Sequence, residues 1–472
     1  MNFLSFLPTG IIILNIIFII LLIFFERKDP TATWAWLLIL TLIPVLGFVL
    51  YLFLGLTPKK RKLFQRKQEE DELKKYDGKL IAAELKERIK DFDHLEQSII
   101  RLAFENDLPA GLGYNQLDIY TSGREKFADL FEDIKNAEKF VHANYYIIND
   151  DQLGDQFMQL LTKKAAEGVE VRLLYDRMGC RNLSRYTIFE LEDAGGKAVP
   201  FAPFVLDMNY RNHRKNVVID GQIGYLGGIN IGDEYLGESR RFGDWRDTHL
   251  RLKGESVDSL QYRFLLDWSF ASGNALMRKQ KYFPEKKSRG DVAVQIVSSG
   301  PDSKEAEVKS LFLKMIYEAE KSIYIQTPYF IPDQSMLEAL KIAARSGVEV
   351  KIMIPDRGDH PFVYAANNSF VGELLDAGAR CYRYKKGFLH SKTLCIDSRV
   401  LSIGTTNMDV RSFKLNFEIN AFIYDRERAR YHNQIFAEDL ENSEEITREI
   451  FENRGWTMKL RESVSRLLSP IL

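Results

Sequence analysis

Two stretches of the chain repeat one set of reactive residue types at one spacing. The first runs His213-Arg214-Lys215-Asn216-Val217-Val218-Ile219-Asp220 and continues to Gly227-Gly228-Ile229-Asn230. The second runs His390-Ser391-Lys392-Thr393-Leu394-Cys395-Ile396-Asp397 and continues to Gly404-Thr405-Thr406-Asn407. Both fit H-x-K-x4-D-x6-G-x2-N. A neutral imidazole beside an ammonium suits a phosphodiester: the imidazole attacks or donates a proton, and the ammonium stabilises oxyanion charge. Asn230 and Asn407 add neutral donors for the phosphoryl oxygens. Small residues just before them, Gly228 and Thr405, are expected at the substrate-binding surface, where backbone must come close. A lone histidine on an apolar strand is usually structural. Two copies in matching register make coincidence implausible.

The elements around the motifs repeat too. Ala165 to Arg177 reads AAEGVEVRLLYDR, and Ala343 to Arg357 reads AARSGVEVKIMIPDR. Asp193-Ala194-Gly195 is echoed by Asp376-Ala377-Gly378. The pattern predicts helices over 127–137 and 155–167 and strands over 140–148 and 169–175. In the second copy it predicts helices over 307–320 and 334–345 and strands over 322–326 and 348–354. Gly168 and Gly347 sit where a helix must stop before a strand. Alternating helices and short apolar strands indicate an α/β fold built from two copies of one unit. On a strand, residues i and i+2 share a face, so His213 and Lys215, and likewise His390 and Lys392, are expected to point together. Asp220 and Asp397 fall on the opposite face, which suits a supporting role.

Composition narrows the partners. Lys plus Arg is 65 and Asp plus Glu is 66, a net charge of −1. That balance disfavours a basic nucleic-acid groove, so no nucleic acid is expected as a partner. Three cysteines (Cys180, Cys381, Cys395) with no C-x-x-C argue against a disulfide framework or structural zinc. The other histidines, His94, His142, His249, His360 and His432, show no metal-ligand spacing, so no metal or cofactor is expected.

Met1 to Phe25 and Thr31 to Thr57 carry no Asp, Glu, Lys or Arg. Each exceeds the ~20 residues that a membrane-crossing helix needs. Two transmembrane helices are therefore expected, at 3–25 and 31–57. The loop between them holds Arg27 and Lys28, whereas residues 59–67 hold Lys59, Lys60, Arg61, Lys62, Arg66 and Lys67. That asymmetry places the C-terminal body on the cytoplasmic side of a cell membrane. Residues 58–110 read as a basic juxtamembrane and helical spacer. The repeats are expected over 111–290 and 291–472. The last basic and apolar stretch, Met458 to Leu472, suits either a membrane surface or the body as an amphipathic helix.

With these residues in view, the chain resembles the phospholipase D superfamily, and within it the bacterial cardiolipin synthases. The paired His-Lys-Asp motif carries the first resemblance. Longer strings carry the second: Asn209-Tyr210-Arg211-Asn212-His213-Arg214-Lys215, Gly243-Asp244-Trp245-Arg246-Asp247-Thr248 and Arg411-Ser412-Phe413-Lys414-Leu415-Asn416-Phe417-Glu418. The resemblance implies two tandem repeats forming one pseudo-twofold catalytic body. It implies phosphatidyl transfer between two phosphatidylglycerols, giving cardiolipin and glycerol through a phosphohistidine. Catalysis would fall to His213, Lys215, Asp220, His390, Lys392 and Asp397, with His213 as nucleophile and His390 as acid and base. Glu418 is expected to orient one imidazole by fixing its tautomer, and Asp247 is a candidate for the other. Water as acceptor would make the protein a phospholipase D, and a silent anionic-lipid scaffold is the reading of a different class.

Overall fold

The computed structural model describes residues 14–20, 23, 30–43, 45–47, 51, 85–106, 111–201, 210–239, 241–274, 280–303, 305–467 and 469. They fall into two compact units, an N-terminal one and the large body from residue 85 onward. In the N-terminal unit a helix runs Pro30–Leu42. Asn15 is buried there and donates its amide to the Leu40 carbonyl at 3.3 Å. The Phe18 and Trp36 rings pack on Tyr51 at 5.4 and 5.2 Å. No helix among the described residues is long and apolar enough to cross a membrane. Much of the expected spans 3–25 and 31–57, and all of the basic run 59–67, lie outside the described residues.

The first repeat contributes strands β1 (Gly113–Tyr120), β2 (Phe140–Tyr145), β3 (Glu170–Asp176), β4 (Lys197–Phe201), β5 (Arg211–Asn212), β6 (Asn216–Ile219), β7 (Ile223–Gly227), β8 (Asp244–Arg246) and β9 (His249–Gly254). The second contributes β10 (Val292–Ser299), β11 (Ser322–Gln326), β12 (Phe330–Ile331), β13 (Glu349–Pro355), β14 (Arg380–Tyr384), β15 (Gly387–Leu389), β16 (Thr393–Ile396), β17 (Val400–Gly404), β18 (Met408–Asp409), β19 (Asn416–Tyr424) and β20 (Ser443–Glu445). One sheet runs β20-β14-β13-β11-β16-β17-β19-β10-β1-β9-β7-β6-β2-β3-β4. Outward from its centre each half has the same order: β1-β9-β7-β6-β2-β3-β4 on one side, β10-β19-β17-β16-β11-β13-β14 on the other. The halves join where β1 pairs antiparallel with β10, Tyr114 opposite Ala293. Identical order about an antiparallel join is a pseudo-twofold arrangement, as expected from the duplicated sequence.

Periodicity explains most of the local structure. The helix Gly123–Lys135 buries Phe127, Leu130 and Ile134, one face at helical spacing. Fully buried β2 and largely buried β11 sit beside parallel β3 and β13. Gly168 and Gly347 take φ of +89° and +96°, the left-handed turn that ends each preceding helix. The expected spacer is partly core: Leu95, Ile99, Ile100 and Ala103 of the helix His94–Asn106 are buried in the second repeat's cluster. The body therefore reaches back to Leu85, which charge density alone obscured.

At the other end, the helix Trp456–Leu467 packs one face on the body. Arg466 donates to the Ser369 carbonyl and lies over the Phe370 ring. Glu462 and Ser465 are buried, while Trp456, Leu460 and Leu467 on the other face are exposed. Cys180, Cys381 and Cys395 are buried free thiols.

Candidate active site

Neither His-x-Lys lies inside a regular strand, contrary to the simple alternation expected. Each marks a crossing between two pairing partners. β5 pairs parallel with the start of β19 in the other repeat, Asn212 opposite Phe417. The chain then turns at His213-Arg214-Lys215 and enters β6, which pairs with β2 and β7 of its own repeat. The second repeat does the same. β15 pairs parallel with β8 of the first repeat, Leu389 opposite Arg246, before the chain enters β16. The His213 backbone N–H donates to the Phe417 carbonyl at 3.0 Å, and that of His390 to the Arg246 carbonyl at 2.7 Å. Each histidine is thus clamped to the residue just before a carboxylate of the opposite repeat.

Those carboxylates are the ones singled out from sequence. His213 Nδ1 lies 3.1 and 3.0 Å from the two Glu418 oxygens, and His390 Nδ1 lies 2.6 Å from Asp247 Oδ2. With Nδ1–H bonded to a carboxylate, Nε2 carries the lone pair, the tautomer a nucleophile or base needs. Glu418 also accepts from the Thr405 hydroxyl at 2.5 Å and the Asn416 amide at 3.2 Å. Asp247 accepts from the Thr248 backbone N–H at 2.7 Å. A Cβ on Gly228 would stand 2.0 Å from Asp247 Oδ1, so that position must be bare. Gly228 and Thr405, expected against substrate, instead support the two carboxylates, one by absence and one by a hydroxyl.

The electrostatics follow from burial. His213 and His390 are each pushed down to about 4, first by burial and then by nearby ammonium groups, against the pull of their carboxylates. Burial also lowers Lys215 to about 7 and Lys392 to about 8. Lys392 acts on His213 and Lys215 acts on His390, so the four groups share one field across the repeats. Burial pushes Asp247 and Glu418 up. For Asp247, Lys392 and His390 outweigh it; for Glu418, His213 and Lys215 do, so both carboxyls end below their usual range. Lys215 donates to the His213 carbonyl at 2.6 Å, and Lys392 to the His390 carbonyl.

The two asparagines are not equivalent. Asn230 donates to the Tyr235 hydroxyl at 2.9 Å and accepts from the Ile147 N–H at 3.2 Å. The Asn407 side-chain oxygen is buried without a hydrogen-bond partner among the described residues. Spacing did not single out the walls. Tyr146 stands edge-on to His213, ring centres 4.8 Å apart, and Trp245 lies 5.2 Å from His390. Two buried ion pairs brace the crossings: Arg214 with Asp267 at 2.5 Å, and Arg246 with Asp439 at 2.8 Å. Arg214 also donates to the Glu418 carbonyl at 3.0 Å, tying the histidine segment to its carboxylate strand. His142 is a core residue, stacked on Phe264.

Asp220 and Asp397 are placed at turns, away from the imidazoles. Each occupies a left-handed hairpin position, φ 53° and 52°. Asp220 accepts three backbone N–H groups, from Glu138, Lys139 and Phe140, all at 2.8 Å. Asp397 accepts those of Glu320, Lys321 and Ser322 at 2.9, 2.8 and 2.8 Å. These carboxylates latch the β6–β7 and β16–β17 hairpins to the starts of β2 and β11. The spacing in the motif is a turn register, which explains its recurrence without catalytic contact. Asp220→Ala should cost about 2–4 kcal/mol of stability, from three lost acceptor contacts and an unfavourable φ. Denaturant titration would read this cost, and turnover per folded molecule should stay within a few-fold of the parent.

Comparison with known proteins agrees with this geometry. The family described as "Cardiolipin synthase, PLD-like domain" matches residues 130–241 and 312–440, and "Phospholipase_D-nuclease N-terminal" matches 13–55. A Cardiolipin synthase 2 of Staphylococcus epidermidis is 47% identical over 98% of this chain and 96% of its own. A cardiolipin synthase of Listeria monocytogenes is 44% identical over 100% of both chains. The crystal structure of a phosphatidylserine synthase from Haemophilus influenzae shares the fold, with TM-score 0.60 and 17% identity over 79% of this chain and 100% of that one. Two intact copies of the motif, folded about one site and matched along nearly the whole length, make this chain a member of the cardiolipin synthase family of phospholipase D-like proteins.

Proposed function

We propose that the protein transfers a phosphatidyl group from one phosphatidylglycerol to another, forming cardiolipin and releasing glycerol. The observation that carries this is the reciprocal pairing of two neutral histidines with carboxylates of opposite repeats, beside two lysines. Family membership supplies the lipid. His213 Nε2 attacks the phosphorus of the donor, and the P–O bond to the head-group glycerol breaks. His390 gives the departing alkoxide a proton, and a phosphohistidine remains on His213. The free hydroxyl of a second phosphatidylglycerol then loses its proton to His390 and attacks phosphorus, which breaks the P–N bond and frees His213. Lys215 and Lys392 stabilise charge on the non-bridging oxygens, and Asn407 contributes its amide. Both imidazoles are neutral in the free protein; the bound phosphodiester anion and Asp247 favour uptake of the proton that His390 must donate.

The N-terminal apolar stretches are read as two membrane-spanning helices of a cell-membrane protein with its body on the cytoplasmic side. Support comes from their length, the six basic residues that follow them, and the N-terminal family match over 13–55. Product analysis tests the reaction. Full-length protein with phosphatidylglycerol vesicles should give cardiolipin and glycerol in equal amounts by mass spectrometry; phosphatidic acid in place of cardiolipin would make it a hydrolase.

The pH dependence should be bell-shaped. The imidazoles are neutral, and so nucleophilic, above about 4, and Lys215 is charged below about 7. kcat/KM should therefore fall as pH drops toward 4, where His213 is protonated, and as it rises, where His390 loses the proton it must donate and Lys215 and Lys392 lose their charge. In Lys215→Gln the limb near 7 should disappear along with most of the rate.

A further inference from the structure

We propose that the rim of the catalytic mouth is a docking surface for an anionic lipid bilayer, with Met178, Tyr186, Phe189 and Phe362 entering the interface and Arg181 and Arg185 meeting lipid phosphates. This rests on the reading that the substrate is a membrane phospholipid.

The rim is tied to the site by hydrogen bonds. Asp176, the last residue of β3, accepts from the N–H groups of Met178 at 3.0 Å, Gly179 at 2.8 Å and Asn212 at 3.0 Å, and Asn212 precedes His213. Gly179 sits so close to the Tyr146 carbonyl that a Cβ would meet it at 1.9 Å, and Tyr146 packs on His213. In the second repeat, Asp359 takes the hydroxyl hydrogen of Tyr329, and its carbonyl accepts from Arg241 of the first repeat at 2.8 Å. Asp359 also acts on Lys392. Phe362 follows three residues later. Both turns leave the C-terminal ends of β3 and β13, the end where the histidines lie.

The turn after β3 and the starts of the helices Arg185–Asp193 and Pro361–Asp376 that follow β3 and β13 expose apolar side chains. Tyr186 is 71% exposed, Phe189 60%, Phe362 51% and Met178 39%. From Arg177 to Phe189 there are three exposed arginines and no Asp or Glu, before Glu190, Glu192 and Asp193 close the same helix. Aromatic side chains between arginines match an anionic interface: rings take the head-group level, and guanidinium groups pair with phosphate. A phospholipid entering from such a surface would reach the histidines without its acyl chains crossing water.

Two measurements on the full-length protein in phosphatidylglycerol proteoliposomes decide this. Phe189→Trp should add emission that brominated acyl chains quench, relative to the parent protein. Added emission that these lipids leave untouched overturns the proposal, as does a Phe189→Cys variant that cross-links to a second copy instead. Tyr186→Asp with Phe189→Asp should lower cardiolipin formation from vesicles by at least ~10-fold, and stay within ~2-fold of the parent on monomeric short-chain phosphatidylglycerol. Equal loss on both substrates, or no loss on vesicles, overturns it. Failure of the parent to form cardiolipin from either substrate would refute the proposed reaction, and the quenching result would still decide the docking surface.

Discussion

His213→Ala is expected to lower cardiolipin formation by at least about 10³-fold, and His390→Ala by a similar factor. The double variant should be hardly worse than either single one, because the two imidazoles serve one displacement sequence and their losses do not add. The size of the effect follows from the site. Each imidazole is buried and neutral, and each has a carboxylate on Nδ1, so no neighbouring group is placed to take its place. The variants separate in the adduct they leave. With phosphorus-labelled phosphatidylglycerol, His390→Ala should take up label slowly, since His390 also protonates the leaving glycerol, and then hold it, because the acceptor hydroxyl goes unactivated. His213→Ala should carry none. Label on both variants, or undiminished turnover in either, would refute the paired mechanism.

Glu418→Gln and Asp247→Asn should each lower turnover on the order of 10²–10⁴-fold with little change in folding, by analogy with carboxylates that hold a catalytic imidazole in its tautomer. The amide keeps the shape and loses the charge that stabilises an imidazolium. The structure adds a crossed pattern. Glu418 belongs to the second repeat and serves the histidine of the first; Asp247 belongs to the first and serves the histidine of the second. Glu418→Gln should therefore slow formation of the labelled adduct, whereas Asp247→Asn should slow both its formation and its turnover, so that the label which does form persists on the protein. The reverse assignment would show that each repeat orients its own histidine. The crossing also means that residues 111–290 alone lack the carboxylate their histidine needs, so neither half should be active by itself.

Much of the arrangement was legible from residue order because its causes are local. Helix and strand periods are written within ten or so residues, and the helices 334–345 and strand 322–326 fall where their apolar spacing puts them. Strand ends were less legible: β2 stops at Tyr145, short of the expected Ile148, because Tyr146 leaves the ladder to pack on His213. The helix His94–Asn106 shows its apolar face at 95, 99, 100, 103 and 104, but the charge-rich residues before it pointed to a spacer, and only the tertiary structure shows what that face packs against.

The amino-acid order by itself determined the duplication, the two His-x-Lys pairs and the phosphodiester chemistry they suit, since these depend on residue types and short spacings. Only the tertiary structure decided which carboxylate holds which histidine. Those partners lie 205 and 143 residues apart, and they meet because β5 pairs with β19 and β15 with β8 across the repeats. It also decided that Asp220 and Asp397 latch turns, since three backbone N–H groups converge there only once the hairpin closes on the neighbouring strand. Backbone pairing between distant strands has no local signature: the hydrogen-bonding groups are the same at every residue, and which of them meet is settled by how the two halves pack.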